Sequence, residues 1–375
     1  MKITILSTAY PLRGGIAHFN GLLYNELSKE HEVKVITFKR QYPSLLFPGK
    51  SQLESGDTVE KIPSKVLVDS INPLNWYSVA KKIQKDAPDL LIFKYWMPFF
   101  APCFGLITRI VKNNKRTNAL VICDNVIPHE KRPGDVALTK YFFNNVDYFV
   151  LMSGSVKKDL LTIKANAKYS LLFHPVYSNF GTGVDKKTAR EKLKTAREKV
   201  ILFFGFIRKY KGLDTLIEAA AVLKKKGKTD IGILVAGEFY DDEQKYRDLI
   251  KEKKVEDQLY LYNDFIPTSE VKYYFSAADV VVLPYKDATQ SGIVQIANNF
   301  EKPIIATNVG GLSEVIKNGE TGYLIESNNP AQLAEKIIKF YDENKEQVFV
   351  ENVKKELDKF SWQKFTDGLI ELTQK

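Results

Sequence analysis

Cysteine, methionine, tryptophan and histidine are all scarce in this chain of 375 residues, at two, three, three and four copies. The two cysteines, Cys103 and Cys123, lie in apolar runs, which makes a disulfide scaffold improbable and a reducing cytoplasm the natural setting. Long hydrophobic runs are missing too. The longest, Trp96 to Val111, is broken by Pro98, Pro102 and Arg109 and is shorter than the ~20 apolar residues a spanning helix needs. The chain enters a strand pattern at once, Lys2-Ile3-Thr4-Ile5-Leu6, so no signal peptide is expected. What remains is a globular composition, 44% hydrophobic and 27% charged, long enough for two ordinary domains.

Charge is uneven along the chain. Residues 1–180 hold 24 Lys and Arg against 14 Asp and Glu, whereas the remainder is balanced at 31 against 31. An excess confined to one half points to an anionic partner there, either a membrane surface or a phosphorylated substrate; a solvated basic face is the plainer alternative. Charge alone does not make a nucleic-acid binder, and no recognition module for one is present.

Apolar strands alternate with amphipathic helices nearly throughout. The strands include Ile3–Leu6, Leu90–Phe93, Leu120–Cys123, Val200–Phe204, Ile231–Ala236, Val280–Leu283 and Ile304–Ala306. Leu213, Leu216, Ile217, Ala220 and Leu223 mark one helical face. This pattern predicts doubly wound parallel sheets. Strand Lys2–Ser7 leads through Arg13-Gly14-Gly15 into a helix near Ile16–Leu27, and strand Lys199–Phe204 leads through Gly205 and Lys211-Gly212 into another. In such sheets ligands bind at the carboxyl ends of the strands. The Gly-rich stretch Ser178–Asp185 is the expected domain boundary, and Arg40 to Lys61, with Pro43, Pro48, Gly49 and Gly56, reads as a long loop of the first domain.

The most informative stretch joins Thr289-Gln290-Ser291-Gly292 to Lys302-Pro303-Ile304-Ile305-Ala306-Thr307-Asn308-Val309-Gly310-Gly311-Leu312-Ser313-Glu314. It predicts two helix starts beside glycines, whose free N–H groups suit a phosphorylated ligand. With Gly14-Gly15, Lys211-Gly212, Ala236-Gly237-Glu238, Phe265-Ile266-Pro267, Ala278-Asp279-Val280 to Pro284-Tyr285, and Phe360-Ser361-Trp362, it gives an ordered set over nearly the whole chain. The set resembles the retaining glycosyltransferases of family 4.

That resemblance implies an α/β GT-B fold: two facing Rossmann-like, doubly wound domains with a central cleft. Residues 1–180 would bind the acceptor, with a final helix at 360–375 crossing back, and 184–358 would bind the donor. The implied reaction moves a sugar from a UDP- or GDP-sugar to a glycan or lipid-linked acceptor, as in bacterial surface polysaccharide synthesis. It retains configuration and needs neither metal nor cofactor. The implied place is the cytoplasm, at the inner face of the plasma membrane. Rivals are an epimerase or phosphorylase on the same fold, or an inactive nucleotide-sugar-binding protein.

The leaving diphosphate must be stabilised by fixed cations and N–H dipoles. Lys211 is the leading candidate, with Arg208 supplying the guanidinium that the family places where Phe206 stands. The family's two glutamates fall here at Ala288 and Ile296, so Thr289, Gln290, Ser291 and Gly292 are expected to take over sugar and phosphate contacts and Gln295 the ribose. The resemblance adds Gly14, Gly15, Gly205, Glu238, Phe265, Ile266, Ile293, Gly310, Gly311 and Glu314 to the donor site, although Glu314 suits a helix start equally well. In the first domain Asp124 and His129 are the choices for contacting sugar or acceptor, joined by Asn125 and, more weakly, His18. His31 and His174 read as structural or surface residues. Tyr240-Asp241-Asp242-Glu243 reads as helix capping rather than a metal site. The aromatic run Tyr95 to Phe100 reads as core more than as an acceptor or lipid contact.

Overall fold

Apolar strands that must be covered on both faces pair in parallel and leave helices to cover them. The computed structural model, which describes residues 1–43, 52–53, 61–128 and 132–374, contains two such sheets. The chain divides into two units, with breaks after Pro175 and after Lys359.

The first unit orders its strands β3-β2-β1-β4-β5-β6-β7, all parallel. They are β1 (Lys2–Leu6), β2 (Glu32–Arg40), β3 (Ser64–Asp69), β4 (Leu90–Tyr95), β5 (Asn118–Cys123), β6 (Tyr148–Leu151) and β7 (Lys168–Leu171). The helices are α1 (Gly15–Leu27), α2 (Pro73–Asp86), α3 (Ala101–Val111), α4 (Asp135–Phe143) and α5 (Gly154–Ile163). The strand order reverses between β1 and β4. Phe93 and Tyr95 on β4 pack against Phe104, Phe142 and Phe143 of α3 and α4. Alternation therefore sends Lys94 to the opposite face, against Phe19 of α1. Most of the Arg40–Lys61 loop lies outside the described residues.

The second unit begins with α6 (Lys186–Lys192) and orders its strands β10-β9-β8-β11-β12-β13, again all parallel. These are β8 (Lys199–Phe204), β9 (Ile231–Ala236), β10 (Leu259–Tyr262), β11 (Val280–Leu283), β12 (Ile304–Thr307) and β13 (Gly322–Ile325). Between them run α7 (Leu213–Lys225), α8 (Glu243–Lys253), α9 (Thr268–Ala277), α10 (Gly292–Asn299) and α11 (Leu312–Val315). Then come α12 (Pro330–Asp342) and α13 (Lys345–Glu356). The order reverses between β8 and β11.

The stretch Ser178–Asp185, read from sequence as the boundary, begins three residues past the break after Pro175 and packs within the second unit. Tyr177 and Phe180 are buried and meet at 6.0 Å, and the Val184 N–H donates to Ser276 Oγ at 3.0 Å. The last helix, α14 (Trp362–Gln374), packs in the first unit, where Trp362 and Phe365 lie edge-on to Phe19 at 5.0 and 5.7 Å.

The amino edge of the second sheet is fixed by one buried carboxylate. Asp279 is 3% exposed and accepts from Lys186 Nζ at 2.6 Å, Arg190 Nη2 at 2.8 Å, the Val200 N–H at 2.7 Å and Tyr341 OH at 3.0 Å. It thereby ties α6 and α12 to the starts of β8 and β11, the two strands that flank the reversal. Removing one partner from a buried charge network costs about 3–5 kcal/mol. Asp279→Ala is therefore expected to lower the unfolding free energy by that order, measured as a lower urea midpoint followed by circular dichroism.

Candidate functional site

Rossmann-like sheets expose backbone groups at the carboxyl edge where the order reverses. In the second unit that edge is knit together by close backbone contacts. Gly205 ends β8 at φ +100°, and a Cβ there would lie 3.0 Å from Lys211 Nζ and 3.1 Å from Ile293 Cδ1. The chain regains extended geometry at Ile207, which bridges to Phe239, before the turn Lys209–Lys211. Gly212 follows at φ +73°, and any side chain there would strike the Pro284 carbonyl. The segments after β11 and β12 are clamped in the same way. The Gly311 N–H donates to the Thr289 carbonyl at 3.0 Å, and a Cβ on Gly310 would lie 1.5 Å from the Ala288 oxygen. Thus Gly205, Lys211, Thr289, Ser291, Ile293, Gly310 and Gly311 come together.

Lys211 is the unusual member. Its side chain is 8% exposed, and among the described residues its ammonium has neither a hydrogen bond nor an ion pair. The Tyr285 ring lies 5.6 Å away. Burial lowers its pKa to about 8, and the positive charge of Arg208 adds to the shift. Tyr285 OH is also 3.3 Å from Ser291 Oγ, which places the start of α10 beside the ammonium.

The two expected helix starts are less open than the glycines suggest. Ser291 Oγ accepts from the Ile293 N–H at 3.3 Å, so the serine caps its own helix. After Gly310-Gly311 the helix α11 has four residues, too short for a useful dipole, and the Gly311 N–H is already taken by Thr289. The tandem of free helix ends is therefore replaced by one capped helix and a clamped turn. Gln295 is 2% exposed on α10, where its Oε1 accepts from Asn298 at 3.2 Å. Gln290 is half-buried beside Ser291, and the Glu314 carboxylate is exposed on α11. Glu238 is buried, its carbonyl accepting from the Ile207 N–H at 2.9 Å. Asp242 caps α8 by accepting from the Gln244 N–H.

Arg208, Phe265 and Ile266 lie on the half of the edge formed by β8, β9 and β10. The Arg208 guanidinium is 5.2 Å from the centre of the Tyr240 ring, and Phe265 lies near-parallel to Phe206 at 6.3 Å. Ile266 is half-buried beside Phe265.

In the first unit, Gly14 (φ +106°) precedes α1 and Gly15 opens it, exposed. Asp124 follows β5, but it is not a lone carboxylate. Lys94 Nζ, 2% exposed, donates to its Oδ1 at 2.8 Å and lies 3.5 Å from the Phe19 ring centre. Burial pushes the Lys94 pKa down, and the Asp124 charge opposes that shift. The residue chemistry at Asp124 is thus that of a buried ion pair. Asn125 Nδ2 donates to the Trp96 carbonyl at 3.5 Å. His18 is buried on α1, and burial lowers its pKa to about 4. His174 is likewise buried, lowered to about 3 by burial and by the Lys94 charge. Tyr95 and Phe100 are fully buried, while Trp96, Met97 and Phe99 are half-buried around them. His129 lies outside the described residues.

Sequence reasoning missed Lys94, Phe206 and Tyr240 as parts of these edges. A charged residue inside an apolar strand was the available signal for Lys94.

The unpaired ammonium has a measurable consequence. Folded Lys211 releases its proton near pH 8, whereas an ordinary lysine holds its proton to about 10.5. Between those values the unfolded chain binds more protons, so stability rises with pH through that window. Lys211→Met is expected to raise the melting temperature by a few degrees below pH 8, with the gap narrowing toward pH 10.5. Calorimetry across that range tests it; a variant less stable than the wild type at pH 7 contradicts it.

Comparison with known proteins agrees with this architecture. Residues 185–356 match the family described as glycosyl transferases group 1. Over 98% of its length the chain is 24% identical to an uncharacterized glycosyltransferase of Methanocaldococcus jannaschii, covering 97% of that protein. It is 30% identical over 145 residues, 38% of its length, to a D-inositol 3-phosphate glycosyltransferase of Pseudarthrobacter chlorophenolicus. The chain spans only about a third of that relative, 34%. Among solved structures, Anabaena HepE in complex with UDP superposes with a TM-score of 0.77 at 16% identity, covering all of both chains. Residues 185–356 thus resemble the group 1 glycosyl transferases over somewhat less than half of the chain, and the two Rossmann-like units have the GT-B fold.

Proposed function

We propose that the protein is a retaining, metal-independent glycosyltransferase of family 4. It transfers a sugar from a UDP- or GDP-sugar to a glycan or lipid-linked acceptor in bacterial surface polysaccharide synthesis. The observation that carries this reading is Lys211, a buried ammonium that has no counter-ion among the described residues, at the reversal point of the second sheet. A protein keeps such a charge at a cost unless a ligand supplies the anion. A diphosphate at the ends of β8, β11 and β12 does so. Structures of HepE in complex with UDP and with UDP-glucose support a nucleotide-sugar ligand for this fold.

In this reading the second unit binds the donor and the first unit the acceptor. As the bond between the anomeric carbon and the phosphate oxygen breaks, negative charge grows on the leaving diphosphate. Lys211 and Arg208 neutralise it as fixed cations, so that no metal is needed. Thr289, Gln290 and Ser291 supply hydroxyl and amide groups where the family has carboxylates. The leaving phosphate takes the acceptor's proton, which removes the need for the carboxylate pair of retaining glycosidases. Asp124, held by Lys94, accepts from a sugar hydroxyl at the edge of the first sheet, with His129 nearby in sequence.

A cytoplasmic enzyme with a lipid-linked acceptor works at the inner face of the plasma membrane. Support comes from the start of α2, where Leu74 and Tyr77 are 83% and 54% exposed on a helix that also carries Lys81, Lys82 and Lys85. Apolar and basic side chains on one helix suit an anionic bilayer surface. Among the described residues no helix is long and apolar enough to cross a membrane. Leu74→Asp is expected to reduce sedimentation with vesicles containing phosphatidylglycerol several-fold; equal sedimentation of variant and wild type would remove this helix from the proposal.

The decisive experiment is a panel of UDP-, GDP- and ADP-sugars, scored by thermal shift, donor hydrolysis and transfer to membrane extracts. At least one donor is expected to raise the melting temperature by several degrees, and Lys211→Met to abolish both the shift and turnover while staying folded. A panel without any shift refutes the donor site. Binding without turnover on any acceptor favours an inactive nucleotide-sugar-binding protein.

A further inference from the structure

Beside the buried ammonium, the carboxyl edge of the second unit carries a stack of rings that neutralising a diphosphate does not require. Phe206, directly after Gly205, lies face to face with Tyr240, their centroids 4.5 Å apart and their planes 26° apart. Phe265 lies near-parallel to Phe206 at 6.3 Å and 28°. The three rings come from the ends of β8, β9 and β10, and all are half-buried rather than part of the unit's core. Arg208 links the two features: its guanidinium is 5.2 Å from the Tyr240 ring centre, and its charge depresses the Lys211 pKa.

Flat, partly exposed rings next to two cations fit a ligand that joins a planar ring to an anionic group a short distance away. Nucleoside diphosphates have that form. We infer that Phe206 and Tyr240 hold the nucleotide's base by stacking, with Arg208 within reach of both base and phosphate. The inference rests on the reading of the Lys211 edge as a diphosphate site and adds the residues that recognise the rest of the nucleotide. It also accounts for Phe206: at this position the chain gives up a phosphate-binding cation and gains a base contact. Stacking on a π face is worth enough to change affinity about tenfold or more, and it tolerates different bases because each presents a flat face.

Calorimetric titration of the wild type, Phe206→Leu and Tyr240→Leu with UDP, GDP and pyrophosphate tests this. The wild type is expected to bind UDP and GDP about tenfold or more tightly than pyrophosphate. Each leucine variant should lose most of that advantage while holding pyrophosphate within about twofold of the wild type, which also shows that the phosphate site is folded. If both variants keep the nucleotide advantage, or if the wild type binds all three ligands equally, the inference is overturned and the diphosphate site stands. If the wild type binds none of them, the diphosphate reading itself falls. Should the variants fail to fold, proton NMR of UDP with the wild type decides the matter: upfield ring-current shifts of the base protons are expected, and unshifted base protons overturn the stack.

Discussion

A parallel sheet covered by helices on both faces commits nearly all its side chains to packing, so its chemistry has to happen where the strands end. Both units obey that constraint. In the second, the amino edge is used for anchoring, with Asp279 collecting four donors from α6, β8 and α12. The carboxyl edge is left to Gly205, Lys211 and the turns after β11 and β12. Division of labour between the two edges lets the carboxyl edge carry an ammonium without a counter-ion among the described residues while the strands beneath it stay anchored.

Three lysines, two buried and one half-buried, show how context decides what becomes of a desolvated charge. Lys302 enters β12 at the amino edge, lowered to about 8 by burial, but its ammonium donates to the Ala278 carbonyl and closes a local gap. Lys94 has a carboxylate and an aromatic face. Lys211 stands at the reversal of strand order in the second sheet and has neither hydrogen bond nor ion pair among the described residues. The same desolvation acts on all three; what differs is whether the protein itself answers the charge.

Much of this was legible from sequence because strands buried on both faces read as plain apolar runs. Val200–Phe204, Ile231–Ala236 and Ile304–Ala306 needed no further information. Edge strands were harder: β7, Lys-Tyr-Ser-Leu, is half exposed along its length and has no apolar signature. The glycine motifs marked the turns at the carboxyl edge of the second sheet, but not how those turns are held. That the Gly311 N–H is taken by the Thr289 carbonyl is a fact of backbone geometry with no pattern in the chain, whereas the Ser291 cap follows a serine placed just before its helix. The Lys94–Asp124 pair depends on register, since Lys94 aligns with Ile122 only once β4 and β5 are zipped together. A lysine inside an apolar run looks like the end of a strand until its partner, thirty residues away, is brought alongside.

Gly310 has a consequence for how such an edge can diversify. With the Ala288 oxygen occupying the space of its missing side chain, the turn after β12 admits no substituent unless the neighbouring backbone moves. Selection on ligand preference has no purchase at that position. Variation is channelled instead into Thr289 and Gln290, whose side chains change without disturbing the clamp or the Ser291 cap, so under the proposed function an altered donor preference in a descendant of this chain is to be sought there first.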